Sequence, residues 1–242
     1  MQQNYHTMIN NDPIGLAVSE YLAGAQDAEI TVESNIAEDD VIPVHYLFRE
    51  PAQMPELEHA ALDASKGKIL DIGAGAGCHA LALQSLGFDV TALDISAGAA
   101  AAMQKRGVKQ VLNQNIFDVT GKYDTLLLLM NGIGIAGSLD GLDRFLEHAK
   151  SLLHPNGQIL LESSDKLYMF EEEDGSVVLD LNAGYYGEVK YNMKYKDQES
   201  GWFDWLFIDP AILEDYATRH GYTFEVLYEG DMGNYLARLS ML

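Results

Sequence analysis

Residues 68–83 read Lys-Ile-Leu-Asp-Ile-Gly-Ala-Gly-Ala-Gly-Cys-His-Ala-Leu-Ala-Leu. A short apolar run ends in Asp71, glycines follow at alternate positions, and apolar residues then recur at helical spacing until Gly87. That order predicts a strand, a glycine-rich turn and a helix. In such a unit the backbone can approach a ligand closely and offer the N–H groups of a helix N-terminus. A dinucleotide turn wants Gly-x-Gly-x-x-Gly. Counted from Gly73 and Gly75, the third glycine of that pattern falls on Cys78.

The pattern present is Asp-x-Gly-x-Gly-x-Gly, from Asp71 to Gly77. It resembles the first motif of the class I S-adenosylmethionine (SAM) dependent methyltransferases, which have a Rossmann-like architecture. The next strand-like run ends in Asp94, 23 positions beyond Asp71. This is where a carboxylate that accepts ribose hydroxyls is expected. Further on, Ile116-Phe117-Asp118 follows a third strand-like run, and the resemblance implies that an acidic residue there grips the adenine. The run Leu152-Leu153-His154-Pro155-Asn156-Gly157 is similar to the family's Leu-Leu-x-Pro-Gly-Gly turn. Asn156 stands in place of a glycine and tolerates left-handed backbone. The cofactor-binding set that the resemblance implies is Asp71, Gly73, Ala74, Gly75, Gly77, Asp94, Ile95, Ile116, Phe117, Asp118 and Asn131, with SAM as methyl donor.

The remaining pattern suits an α/β protein: a doubly wound, seven-stranded, mostly parallel sheet with an antiparallel terminal strand. Residues 123–130 are almost continuously apolar, as a central strand covered on both faces requires. Residues 138–153 carry a helical apolar stripe, and Asp209-Pro210 starts another helix. Residues 1–65 fall outside the strand-helix count and are expected to form an N-terminal helical lid that caps the substrate. Residues 66–242 are expected to form the SAM-binding core. Within it, residues 165–208 form an insertion where Val189, Tyr191, Met193 and Tyr195 alternate with polar neighbours. After a turn at 197–201, Phe203, Trp205 and Phe207 alternate in the same way, giving an inserted β-hairpin. It either extends the sheet or caps the substrate mouth, and its aromatics suit a buried hairpin face, a substrate wall or an oligomer contact.

Composition narrows the partners. The 242 residues carry 37 acidic and 15 basic side chains, a formal net charge of −22. Such a charge repels a phosphate backbone, which argues against nucleic acid as substrate. The single cysteine excludes an internal disulfide, and the histidines lack metal-ligand spacing, so no metal is expected. Residues 1–5 lack the basic and apolar regions of a signal peptide, and no apolar run reaches membrane-spanning length. A cytoplasmic protein with no membrane partner is expected, with a homodimer left open.

The resemblance implies transfer of the SAM methyl group to a nucleophile. After the fourth core strand, the family's base- and amide-methylating branches often carry Asp/Asn-Pro-Pro-Tyr, whereas this chain has Asn131-Gly132-Ile133-Gly134. That departure argues against base methylation and favours a small-molecule acceptor with an N or O nucleophile. Candidate catalytic residues are His45, Tyr46, Asn131 and Asp165. The competing readings are a protein methyltransferase acting on a basic partner, a nicotinamide-dependent oxidoreductase, and a SAM-binding protein without catalysis.

Overall fold

The computed structural model describes residues 11–172, 174, 176–178 and 184–241. Residues 1–10 of the expected lid, and 173, 175 and 179–183 of the insertion, lie outside the described residues. The glycine-rich unit forms β3 (Lys68–Ile72) and α3 (Cys78–Ser85), followed by β4 (Asp89–Asp94), α4 (Ala97–Arg106) and β5 (Gln110–Asn113). Next come β6 (Tyr123–Leu128), α5 (Leu139–Leu152) and β7 (Leu153–Ser164). α6 (Pro210–Arg219), β11 (Tyr222–Glu229) and β12 (Asn234–Met241) complete the core. Its seven strands are ordered β11-β12-β7-β6-β3-β4-β5. The five strands from β3 to β7 are parallel, and β12 runs antiparallel to both its neighbours. This is the expected doubly wound sheet.

Alternation along the strands feeds two separate cores. Ile69, Leu127, Leu160 and Leu236 face one side with Leu83 of α3 and Met103 of α4. Their neighbours Leu70, Leu126, Ile159 and Ala237 face the other with Phe145 and Leu146 of α5 and Leu213 of α6. A central strand therefore has no polar face to alternate with, which is why residues 123–130 read as continuous. The caps follow their side-chain chemistry. Ser96, Ser138 and Asp209 accept backbone N–H groups at the starts of α4, α5 and α6, and Gly107 closes α4 in the left-handed region. Asn156 takes φ 63° where β7 is irregular, between the Leu153 and Gln158 pairings with β6.

The N-terminal segment is more than helical. It contains α1 (Pro13–Leu22), β1 (Glu29–Ser34), β2 (Asp40–Pro43), a 3-10 turn at Val44–Phe48 and α2 (Glu56–Ala64). The insertion supplies β8 (Glu188–Tyr195), β9 (Gln198–Glu199) and β10 (Phe203–Leu206). Both pieces join in a second sheet, ordered β10-β8-β1-β2, with β9 paired to β8. The hairpin thus does not extend the main sheet, because β1 takes the free edge of β8. Register places Val189, Tyr191, Met193, Phe203, Trp205, Val32, Ile30 and Ile42 on one face. The opposite face carries the ion pairs Lys190–Asp204 at 3.2 Å and Lys194–Glu33 at 2.5 Å.

Among the described residues no helix is long and apolar enough to cross a membrane. No group of His, Cys, Asp and Glu among them is arranged to hold a metal ion.

Helix α1 lies against α4 where Gly15 meets Gly98, and a Cβ on Gly98 would stand 2.4 Å from the Gly15 Cα. Backbone cannot yield as a flexible side chain does. Gly98→Ala is therefore expected to lower stability by about 1–3 kcal/mol, read by denaturant unfolding. The same variant should show faster proteolysis within α1.

Candidate functional site

The turn from β3 to α3 is held open by its backbone. Gly73, Gly75 and Gly77 take φ values of 72°, 56° and 83°, conformations in which a side chain is strained. The N–H groups of Gly73 and Ala74 bond the Leu93 carbonyl at 2.9 and 3.0 Å, fastening the turn to the end of β4. Among the described residues, a Cβ on Gly73 or Gly75 would meet no atom within 4 Å beyond its chain neighbours. At Gly77 it would lie 3.0 Å from Met103 Cγ and 3.1 Å from Val108 Cγ2. The first two glycines keep a cradle clear, whereas the third permits close helix packing.

That cradle opens into a cavity of about 370 Å³ lined by Gly73, Gly75, Asp94, Ile95, Ile116 and Phe117. These expected residues therefore meet at one place. Asp94 accepts the Gly75 N–H at 2.8 Å on one oxygen and the Ser96 N–H at 2.8 Å on the other. Burial pushes its carboxyl up to about 6, with the Ser96 and Gly75 N–H groups pulling the other way. Gln114 and Asn115 line the cavity, but Asp118, three residues further along, is exposed on the following 3-10 turn. The sequence reading missed Asn115, although a polar residue just after the β5 run was the available signal.

The other expected residues stand elsewhere. Asp71 and Ala74 are buried beneath the turn and do not line the cavity. His45 and Tyr46 are exposed on the 3-10 turn, where the Arg49 guanidinium sits 3.5 Å from the centre of the Tyr46 ring. Asp165 accepts the Tyr186 hydroxyl at 2.7 Å and the Leu167 N–H at 2.9 Å, tying down the insertion. Asn131 is buried, its amide donating to the Leu206 carbonyl at 3.2 Å and accepting from the Ser163 hydroxyl at 3.0 Å. Met130 and Asn131 both take left-handed backbone, φ 55° and 54°. The Glu162 carboxylate, accepting the Met130 N–H at 2.6 Å, helps hold this strained strand end, at which Met130 and Gly132 line the cavity.

Three buried charges occupy the floor under the glycine turn. Glu58 of α2 pairs with Arg49 at 2.5 Å and with His79 of α3 at 2.8 Å. Burial opposes ionisation of all three, yet the pairing outweighs it. Contacts with Cys78 and Glu58 hold His79 up to about 10, and Glu58 stays below the usual carboxylate range. Asp71 Oδ2 and Arg49 Nε are buried and find no hydrogen-bond partner among the described residues.

Burial pushes Asp71 up from 3.8 to about 6, with His79 charge and the Ala80 N–H acting against it. The folded state then holds this proton more tightly than the unfolded chain. The penalty is absent below the ordinary value and grows as pH rises to about 6, reaching at most about 3 kcal/mol. Asp71→Asn removes this titration, so its stability should fall less than that of the parent between pH 4 and pH 6.5. Denaturant midpoints across that range measure the difference.

Among proteins of known sequence and structure, a family model described as a methyltransferase domain matches residues 44–224. A SAM-dependent methyltransferase from Bacteroides fragilis, crystallised with S-adenosyl-L-homocysteine, is 45% identical to this chain. The match covers 96% of each chain with a TM-score of 0.90. The CcbJ methyltransferase from Streptomyces caelestis is 15% identical, with 79% of this chain and 94% of that one covered at TM-score 0.57. A Burkholderia thailandensis 1,6-didemethyltoxoflavin-N1-methyltransferase is 19% identical, with 81% and 80% covered at 0.50. Those two share the fold alone. No curated protein matches by sequence. With a methyltransferase model spanning most of its length and a close structural relative matching it almost end to end, this chain belongs to the class I SAM-dependent methyltransferases, enzymes that use SAM as methyl donor.

Proposed function

We propose that the cavity holds SAM along the Gly73–Gly75 cradle and a small-molecule acceptor beneath the second sheet, with methyl transfer to a nitrogen or oxygen nucleophile. The observation that carries this reading is the open cradle: two left-handed glycines with no atom of the described residues, chain neighbours aside, within 4 Å of a Cβ, beside a carboxylate at the next strand end. SAM when bound supplies an electrophilic sulfonium methyl. The chain's part is to bind, orient and exclude water.

In this reading the Gly73 and Gly75 backbone accommodates the amino-acid end and the nucleoside edge. Asp94 has each oxygen engaged by one N–H, leaving a lone pair on each for a ribose hydroxyl. Ile95, Ile116 and Phe117 offer an apolar slot for the adenine, with Asn115 beside it. The lid role assigned to residues 1–65 extends to the insertion, since both build the second sheet. Asp12 supports that role: it caps α1 through the Gly15 N–H at 2.7 Å and accepts the Ser96 hydroxyl at 2.7 Å. Ser96 in turn donates its N–H to Asp94, so closure of α1 and cofactor binding bear on one hydrogen-bonded chain. The formal charge of −22 supports a small molecule over nucleic acid.

Isothermal titration tests the site. Gly75→Val should stay folded and show no measurable SAM binding, because the new side chain fills the cradle. Asp94→Ala should weaken SAM and S-adenosylhomocysteine alike, by about 1.5–3 kcal/mol, since both carry the same ribose. In the parent, affinity should fall as pH drops through about 6, where Asp94 takes up a proton and loses acceptor capacity. Selective binding of NAD or NADP instead would overturn the cofactor assignment. Labelled SAM incubated with pooled metabolites and with cell protein tests the acceptor class. Label entering protein alone would reject the small-molecule reading.

A further inference from the structure

Beyond the cofactor cradle, the cavity is walled by the inner face of the second sheet. Trp205 and Phe203 stand on β10, Met193 on β8, and Ile30 and Ile42 on β1 and β2. The aromatic part of this wall is fixed. A Cβ on Gly134 would fall 2.0 Å from Trp205 Cε2, so the indole rests directly on the turn that follows β6. Phe203 meets Trp205 edge-on at 6.0 Å between ring centres and is backed by Tyr191 at 6.4 Å. Rings held this way offer ordered partners for another ring, since aromatic pairs favour offset and edge-to-face contact.

The charged groups of the lining are engaged or ill suited to removing a proton. Asp12 accepts from Gly15, Ser96 and Gly98, and Asp94 from Gly75 and Ser96. The Asp204 carboxylate pairs with Lys190 on the outer face of the sheet. Arg144 lines the same cavity and donates to the Asp140 carbonyl at 3.4 Å. Among the described residues, no His, Lys, Tyr or Cys lines the cavity. A hydroxyl acceptor needs a base at the point of transfer, whereas a neutral nitrogen needs only a route for its proton afterwards.

We propose that the acceptor is a neutral, planar aromatic or heteroaromatic molecule that lies against Trp205 and Phe203 and is methylated on its own nitrogen. This rests on the methyltransferase reading of the cavity and names its substrate class. In the transfer, the nitrogen lone pair forms the N–C bond as the S–C bond breaks, and that electron pair stays on sulfur. An amino nitrogen on the ring, its lone pair outside the aromatic system, then releases its proton to water and the product leaves uncharged; a pyridine-type nitrogen bears no hydrogen, and its product leaves as the N-methyl cation that carries the charge lost by the sulfonium.

The test is binding, kept separate from turnover. Protein saturated with S-adenosylhomocysteine is titrated with 8-aminoquinoline, with cyclohexylamine as an aliphatic cation, and with benzoate as an aromatic anion. 8-Aminoquinoline is expected to bind the tightest of these. Trp205→Leu is expected to weaken it about tenfold, the scale of a lost ring contact, with Trp205→Phe recovering most of the loss. Affinity for S-adenosylhomocysteine should be the same in all three proteins. Equal or tighter binding of cyclohexylamine or benzoate overturns the proposal, as does absence of 8-aminoquinoline binding or its indifference to Trp205→Leu. The comparison among probes on the parent protein decides the matter without any variant. Failure of the parent to bind S-adenosylhomocysteine would instead sink the cofactor reading.

Discussion

The hydrogen bond from the Gly75 N–H to the Asp94 carboxylate, 2.8 Å long, is the contact on which the rest of the site depends. It joins the glycine turn of one strand-helix unit to the strand end of the next, and does so where the backbone is in the left-handed region. With the Gly73 and Ala74 N–H groups bonded to the Leu93 carbonyl, the turn is held at two adjacent residues at the end of β4. A loop of small residues would otherwise lose much backbone freedom on ordering, a cost of roughly 1–2 kcal/mol per residue. Attachment to a parallel sheet buried on both faces offsets that cost and leaves the cradle clear.

From Asp94 the same chain of bonds reaches the N-terminal segment. Ser96 links the carboxylate at the end of β4 to Asp12, and Asp12 starts the helix that leans on α4. The second sheet then joins residues far apart in sequence. Glu33 accepts from Asn192 at 2.7 Å, 159 positions away, and pairs with Lys194. One face of that sheet is apolar and closes the cavity, and the other carries the ion pairs. The asymmetry gives the sheet a definite orientation, because turning it over would bury those charges against apolar surface.

Beneath the turn, the Arg49–Glu58–His79 arrangement fastens the segment before the core to the first core helix. Paired buried charges add little net stability compared with an apolar core, yet removing one partner strands the others. Glu58 is shared by two cations, so it fixes how α2 and the 3-10 turn sit on α3. The left-handed pair Met130–Asn131 plays a matching part at the end of β6. Its strain is held by Glu162, Ser163 and the Leu206 carbonyl, and it directs Met130 and Gly132 toward the cavity.

By itself the sequence determined what depends on neighbours along the chain. The strand-turn-helix order, the glycine positions, the helix start at Asp209-Pro210, and the carboxylate ending β4 are all local. They follow from hydrophobic period and backbone preference, so the parallel core and much of the cradle were legible in it. Only the tertiary structure decided which side chains face the cavity. Asn131, with the left-handed φ that a turn residue often adopts, is engaged by Ser163 and Leu206; Asp118 is exposed while Asn115 lines the cavity; Asp165 holds Tyr186. Local pattern also left the hairpin free to extend the main sheet or to cap the mouth. The outcome was set by β1 reaching the edge of β8, and strand pairing across such a span depends on complementary edges and faces that meet only when the chain is folded.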